Sequence, residues 1–483
     1  MTKHVHFIGI AGIGMSATAL LMRMQGWEVT GSDEGFYPPA SELLPRHGIR
    51  VRTPHSPDNI PAEADLIVVG KHAKLTMDNA EVAAAHATGK PITSYPDVLA
   101  GIARSRQSLV VVGSYGKSTT ASLVAWALTE AGRDPGYFVG AVPKNLGINA
   151  GLGTAPEFVI EGDEYPSSNT DPRAKFLHYD ARTVLLTAAV HDHVNIFPTQ
   201  ADYEKPFVEL IERLPEDGLL VVCKDEPHAV KVAAHAGSRV ATYALQDTSA
   251  DYYLTDIVYG EISRFTLVAR GQEVGRFQTH LLGAHNLQNM AGAAALLLEK
   301  GLVTPADLQK GFASFLGVVR RMDKLTATSS VPVYEGFGSS REKARAAIDA
   351  IELHFPGRRL HIVFEPHTFS WRNRATIHWY DDVFRGADHL FISAPPDHGA
   401  ESHDQVSYDE IAARVSQNPD VTAVRLGHDQ AENIDAIVTR LVPGDVVLLL
   451  TSGDLGGMIV KLVARMEEEF GGTLSLAQSE IPA

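Results

Sequence analysis

The sequence has 483 residues, 45% of them hydrophobic and 21% charged; at roughly 150 residues per domain this is material for about three globular domains. Aspartate and glutamate outnumber lysine and arginine 58 to 42, a net charge of −16, which argues against nucleic acid as a partner but allows a local basic pocket. The single cysteine, Cys223, excludes an internal disulfide and a CxxC metal site, and it fits a reducing cytoplasm.

The first stretch, from His4 to Met22, is apolar enough to mimic a signal peptide. It has little positive charge ahead of it and is interrupted by glycines at 9, 12 and 14. No run of about 18 apolar residues occurs anywhere, so no membrane insertion is expected. The stretch reads as a buried strand (His4–Ile10), a glycine turn and a helix from about Met15. Strands WEVTGSD and ADLIVVG follow, with helical stretches between them, the alternation of a parallel α/β sheet. Residues 103–107 read as a polar linker. A second α/β block begins at Ser108–Val112, with strands near Phe158–Glu161 and Val184–Thr187, a hairpin within Ile262–Leu282 turning at Gly271, and a helical stretch from Asn286 to about Phe315. The composition turns polar near Lys324–Ser330. A third α/β block then carries VPVYEGF, RLHIVFE, HLFISAP and VVLLLTS as strands.

Two glycine loops carry the chemistry. Gly12-Ile-Gly14-Met15-Ser16-Ala17 fits G-x-G-x-x-A after the first strand, where a backbone without side chains lets a pyrophosphate approach a helix N-terminus. Asp33, ending the second strand, is placed to bond a ribose hydroxyl. By itself this loop is compatible with NAD, with a UDP-sugar or with a plain tight turn. The second loop, Gly113-Ser114-Tyr115-Gly116-Lys117-Ser118-Thr119-Thr120, follows a continuous apolar strand and opens a helix. Its N–H groups can wrap phosphate oxygens, Lys117 supplies positive charge, and Ser118 can ligate Mg²⁺. Two residues separate its glycines where a usual P-loop has four. Glu161-Gly162-Asp163-Glu164 and Asp192-His193 end the neighbouring strands, where metal ligands and water-positioning groups fall in open α/β sheets.

In this order, Gly113–Thr120, Glu161–Glu164, Asp192-His193, Gly283-Ala-His285-Asn286-Leu-Gln-Asn289 and Arg320-Arg321 resemble the Mur ligases of peptidoglycan synthesis, along essentially the whole chain. The resemblance implies an α/β, three-domain architecture: an N-terminal Rossmann-like domain for a UDP-muramyl substrate (1–105), a central P-loop ATPase domain (106–323) and a C-terminal Rossmann-like domain for the amine and for closure (324–483). Within the family, Ser32-Asp33 with Tyr37-Pro38-Pro39-Ala40-Ser41, Asp163-Glu164-Tyr165, and Asp171-x-Arg173-x-Lys175-Phe176-x-His178-Tyr179 mark the branch that attaches a recycled tripeptide to UDP-N-acetylmuramate; the branch that attaches L-alanine is the main rival.

Carried over residue by residue, the resemblance implies ATP and Mg²⁺ as cofactors. Lys117 would hold phosphates, and Ser118 and Glu161 would bind Mg²⁺, with His193 at the second metal position. Gly113, Ser114, Gly116 and Thr119 complete the phosphate loop; His285, Asn286 and Asn289 match the adenine signature, and Arg320 or Arg321 the arginine near the phosphates. Gly12, Gly14, Met15, Ser16 and Asp33 would then serve the UDP pyrophosphate, not NAD. Arg372 and Arg374, after a third-domain strand, are candidates for the carboxylates of an acidic tripeptide. Monomer and dimer are both compatible with the sequence. The chain also departs from the family: Glu335-Gly336-Phe337-Gly338-Ser339-Ser340-Arg341 stands where most members have Asp-Asp-(Phe/Tyr)-Ala-His-His-Pro, Ala188-Ala189-Val190 replaces Asn-x-Glu, and Val208 lies where some members carry a carbamylated lysine. These losses admit a second expectation, a non-catalytic nucleotide- or muropeptide-binding homologue.

Overall fold

The computed structural model describes residues 2–37, 40–193, 196–395, 404–419 and 421–472. The Pro38-Pro39 mark and the last residues of the third block lie outside them. The chain divides into two compact units, one formed by Met1–Ile257, Arg264–Thr279 and His285–Val318, the other by Val258–Ser263, His280–Ala284 and Val319–Ala483.

The first unit holds two sheets. In the smaller, strand β1 (His4–Ile8) leads through the first glycine loop into helix α1 (Ile13–Met24), which returns to strand β2 (Glu28–Ser32). The spatial order is Arg50–Arg52, β2, β1, Leu66–Val69, Ile92–Thr93, all parallel. The order reverses beside β1, so the glycine loop opens into the crevice where doubly wound sheets bind ligands.

The larger sheet has ten strands. Strand β3 (Gln107–Val112) lies between strand β4 (Glu157–Glu161) and strand β5 (Thr183–Leu186), parallel to both. Leu109 to Val112 are wholly buried, as expected of a strand covered on both faces. The second glycine loop leaves β3 and enters helix α2 (Lys117–Glu130), while Glu161 ends β4 level with Val111. The same carboxyl edge thus carries the loop, the acids after β4 and the residues after β5. Beyond β5 the sheet extends through Leu219–Cys223, Arg239–Tyr243 and Tyr252–Val258 to a hairpin of Ser263–Ala269 and Gln272–Thr279. Arg270 and Gly271 both adopt positive φ at its turn.

The two sheets share a core. Ala17 and Leu21 of α1 and Leu99, Ala100, Ile102 and Ala103 of the helix Tyr95–Ala103 cluster with Val110, Val112, Phe158, Ile160, Phe176 and Phe207. The expected linker shrinks to three residues, since that helix ends at Ala103 and β3 begins at Gln107.

The second unit is built on a six-stranded sheet ordered Asp323–Lys324, Val333–Gly336, Val446–Leu450, Leu360–Phe364, His389–Ile392, Thr422–Arg425, parallel except for the first pair. Apolar cores cover it, one centred on Phe364, Trp371 and Tyr380, the other on Val363, Leu449 and Leu462. The expected α/β class and parallel sheets are thereby realised. Among the described residues no helix is long and apolar enough to cross a membrane.

Candidate active site

The second glycine loop needs its glycines for reasons visible in its neighbours. Gly113 has φ +139°, and a Cβ on it would lie 2.2 Å from Thr187 Oγ1, 2.7 Å from the backbone nitrogen of Ala188 and 2.8 Å from its oxygen. Gly116, the N-cap of α2, has φ +80°, and a Cβ there would lie 2.6 Å from Asn289 Oδ1. The Thr187 hydroxyl donates to Tyr115 O (2.5 Å), and Ser114 N donates to Ala188 O (3.1 Å), fastening the loop to the end of β5. No side chain caps α2 and no acid occupies its first turn. The backbone N–H groups from Lys117 to Thr119 therefore form an open anion cradle at the positive end of a helix dipole.

Around that cradle the side chains form two groups. In the first, Ser118 Oγ donates to Glu161 Oε1 (2.8 Å), and Gly140 N donates to Glu161 Oε2 (2.6 Å). A hydroxyl and one carboxylate beside a phosphate cradle are a fitting donor set for Mg²⁺, which takes few protein ligands and completes its octahedron with phosphate and water oxygens. In the second group, Lys117 Nζ donates to Gly113 O (2.5 Å) and to Glu164 Oε2 (3.0 Å). Glu164 Oε1 also accepts from Tyr203 OH (2.9 Å) and lies 3.2 Å from His193 Nε2. His193, held at φ +56°, meets Tyr165 OH through Nδ1 at 2.8 Å. The structure thus brings Ser118 and Glu161 together, while His193 is engaged with Glu164 and Tyr165.

Burial alone would raise Glu164, but hydrogen bonds from His193 and the charge of Lys117 outweigh it and hold the carboxyl down at about 2. Since the folded value lies below the ordinary 4.5, the ionised group stabilises the fold above about pH 4.5 and loses that contribution as pH falls toward 2. In urea titrations across this window the stability difference between wild type and Glu164→Gln should shrink steadily with acid. A constant difference would show that the carboxylate's charge is not what matters.

The remaining expected residues fall as follows. Helix α3 (Ala284–Glu299) places His285 exposed in its first turn, with Asn286 and Asn289 buried behind it and Asn289 Nδ2 donating to Asn286 Oδ1 (3.3 Å). Asn289 also abuts Gly116, so the expected adenine signature and the phosphate loop are in contact. In the first glycine loop, Gly12 caps α1 and Gly14 lies so close to Tyr95 that a Cβ would sit 2.9 Å from its ring. Met15 and Ser16 are buried in the first turns of α1. Asp33 Oδ2 accepts from Ala11 N (2.8 Å) and Oδ1 from Glu34 N (2.8 Å), so the side chain braces the loop itself.

In the second unit, Arg320 donates to Glu335 Oε1 (2.9 Å) and to Gly453 O, while Arg321 is exposed. Burial raises the Glu335 carboxyl above its ordinary value against the pull of Arg320. The departing segment is occupied structurally: Gly338 O accepts from Trp371 Nε1 (2.6 Å), Ser339 O from Thr368 (2.9 Å), and Ser340 caps the helix Arg341–His354. Arg372 is 3% exposed. Arg374 is clamped by Glu410 (2.6 Å) and Asp404 (3.0 Å), so its charge is already neutralised inside the unit.

Sequence reasoning places Glu164 only within an acidic strand end of metal-ligand or water-positioning type, and gives no role to Tyr165 or Tyr203. Glu164 and Tyr165 stand in a motif that serves as a subgroup mark. Tyr203, on the helix Gln200–Glu212, has no local signal and reaches Glu164 only through the fold.

A parallel sheet whose carboxyl edge joins a Gly-Lys-Ser cradle to an acid–hydroxyl pair defines the class of P-loop nucleotide-dependent enzymes. Residues 4–107 match the pattern described as Mur ligase family, catalytic domain, and residues 111–297 match the Mur ligase middle domain. The UDP-N-acetylmuramate–L-alanine ligase of Desulfosudis oleivorans is 31% identical over 456 residues, covering 94% of this chain and 96% of that protein. The UDP-N-acetylmuramate–L-alanyl-γ-D-glutamyl-meso-2,6-diaminoheptandioate ligase of Escherichia coli is 29% identical over 463 residues, covering 95% and 97%. The crystal structure of a murein peptide ligase from Psychrobacter arcticus superposes with a TM-score of 0.65 at 25% identity, covering 96% of this chain and 98% of that one. The chain belongs to the Mur ligase family. It is an ATP-dependent carbon–nitrogen ligase of peptidoglycan synthesis, and the non-catalytic expectation is set aside.

Proposed function

We propose that the chain joins UDP-N-acetylmuramate to the tripeptide L-Ala-γ-D-Glu-meso-diaminopimelate, with ATP and Mg²⁺. One observation carries the catalytic part of this reading: Lys117, Glu164 and His193 converge beside the Ser118–Glu161 pair at the mouth of a glycine cradle. The tripeptide is supported by the Asp163–Tyr179 segment, the subgroup mark whose Glu164 and Tyr165 build the site wall. L-Alanine is the second reading, supported by the relative that is 31% identical.

In this reading the first module (1–105) binds the nucleotide-sugar acid, the second (106–323) ATP and the third (324–483) the amine. Gly113, Ser114, Gly116, Lys117 and Thr119 receive the phosphates; His285, Asn286 and Asn289 receive the adenine, and Arg320 or Arg321 supports the phosphates. Ser118 and Glu161 are the residues that would hold Mg²⁺, which when bound draws charge from the phosphate oxygens. A carboxylate oxygen of the muramyl group attacks the γ-phosphorus, the bond to ADP breaks, and an acyl phosphate forms. The amine nitrogen then attacks the acyl carbon, phosphate departs and a proton is released. Charge accumulates on the transferred phosphoryl group, and Lys117 is the loop's only cation to meet it. Arg372 is the candidate for a peptide carboxylate.

The test is phosphate release and product analysis with UDP-N-acetylmuramate, ATP and either the tripeptide or L-alanine. Product from the tripeptide alone is expected. Product from L-alanine alone would replace this reading by the second, and no product with either would overturn both.

A further inference from the structure

The Asp171–Tyr179 motif divides its residues between two tasks. Phe176 and Tyr179 are buried in the shared core, Arg173 pairs with Asp171 (2.6 Å), and His178 Nδ1 meets Asp97 Oδ1 at 2.8 Å. Lys175 faces elsewhere. Its ammonium donates to Asp163 Oδ2 (2.5 Å) and lies 5.4 Å from the Tyr95 ring centre and 5.6 Å from that of Tyr165. Lys71, two residues beyond the strand Leu66–Val69, brings a second ammonium to 5.6 Å from the same Tyr165 ring. Asn169 Nδ2 fastens the two segments by donating to His72 O (2.9 Å) and Leu75 O (2.7 Å).

This aromatic floor links the two loops. Tyr95 packs against Gly14 of the first, and Tyr165 bonds His193, which meets the Glu164 partner of Lys117. In a chain of net charge −16, the Lys71 ammonium makes no ion pair or hydrogen bond among the described residues. Partial burial first, then the like charge of Lys175, hold Lys71 below the ordinary lysine range against the opposing pull of Asp163. Lys71 thus brings to the face of Tyr165 an ammonium that no ion pair among the described residues offsets, available to an incoming anion.

We propose that Lys71 and Lys175 hold the lactyl carboxylate of the nucleotide-sugar acid beside Tyr165, ahead of its phosphorylation. The assignment rests on the reading of the chain as a UDP-N-acetylmuramate ligase. With the pyrophosphate at the first loop and the γ-phosphate at Lys117, the muramyl carboxylate must lie between the two. Carboxylate and γ-phosphate are both anions, and ammonium groups beside the nucleophile offset their repulsion. An ammonium has three donors, so Lys175 can keep Asp163 and still bind the ligand.

Calorimetric titration of the full chain with UDP-N-acetylmuramate, and with UDP-N-acetylglucosamine, which lacks the lactyl carboxylate, separates carboxylate from pyrophosphate. Lys71→Met should weaken UDP-N-acetylmuramate by about tenfold or more, the scale of one charged hydrogen bond, and leave UDP-N-acetylglucosamine unchanged. Lys71→Arg should restore most of the loss. An equal loss with both ligands would assign the lysine to the pyrophosphate and overturn the proposal, as would no loss with either. Failure of the wild-type chain to bind UDP-N-acetylmuramate would overturn the parent reading, and this proposal with it.

Discussion

Lys117→Ala should reduce ATP-dependent phosphate release by about a thousandfold or more, the range seen when a transition-state cation or oxyanion donor is removed from a phosphoryl-transfer or acyl-transfer site. The effect is expected to be large because the loop has no other cation: its neighbours Ser114, Tyr115, Ser118 and Thr119 are neutral. It should also be a defect of chemistry and not of folding. Glu164 would lose one partner but keep Tyr203 (2.9 Å) and His193 (3.2 Å), so the buried carboxylate stays paired. Lys117→Arg should not rescue it, since a planar fork cannot follow the ammonium's path between Gly113 O and Glu164. Single-turnover phosphate release together with thermal unfolding checks this; a variant that retains turnover would remove Lys117 from its assigned role.

Gly113→Ala should do comparable damage by another route. The methyl would lie 2.2 Å from Thr187 Oγ1 and under 3.0 Å from two backbone atoms of Ala188, at φ +139°, which L side chains rarely adopt. Thr187 can rotate only by giving up its bond to Tyr115 O, and the backbone of Ala188 cannot move without dragging β5. Overpacking and backbone strain together should cost about 2–5 kcal/mol. Nucleotide affinity should fall with stability, because the strain enters the cradle itself. Denaturant titration and nucleotide binding measure the two losses; an alanine variant with wild-type stability would mean that the loop can relax freely.

The sequence and the fold agree most closely where the signal is local. Continuous apolar strands such as Leu109–Val112 and Val446–Leu450 announce themselves, as does a glycine loop opening a helix, because burial on both faces and positive φ constrain residue type at the position itself. What stays hidden depends on distance along the chain. Tyr203 reaches Glu164 across 39 residues, and Asn169 reaches His72 across 97. Nothing in either residue's neighbourhood marks such a contact. Arg374 shows the converse. An arginine after a strand looks available in a sequence, but Asp404 and Glu410 come 30 and 36 residues later to neutralise it. The strand Arg239–Tyr243, with Arg239 and Val240 exposed, lacks the apolar run that marks its neighbour Leu219–Cys223.

The core shared by the first two sheets has a consequence for how such a chain can be rearranged. Because Leu21 of α1 and Leu99 of the helix Tyr95–Ala103 pack with Val112 and Phe158, the stretch before residue 105 is not a detachable cassette. Cutting there would expose apolar side chains on both halves, inviting aggregation. Exchanging residues 1–105 between homologues would require redesigning the matching face of the partner together with it. Variation in this part of the chain is therefore confined to positions outside the seam, such as the exposed residues 71–74.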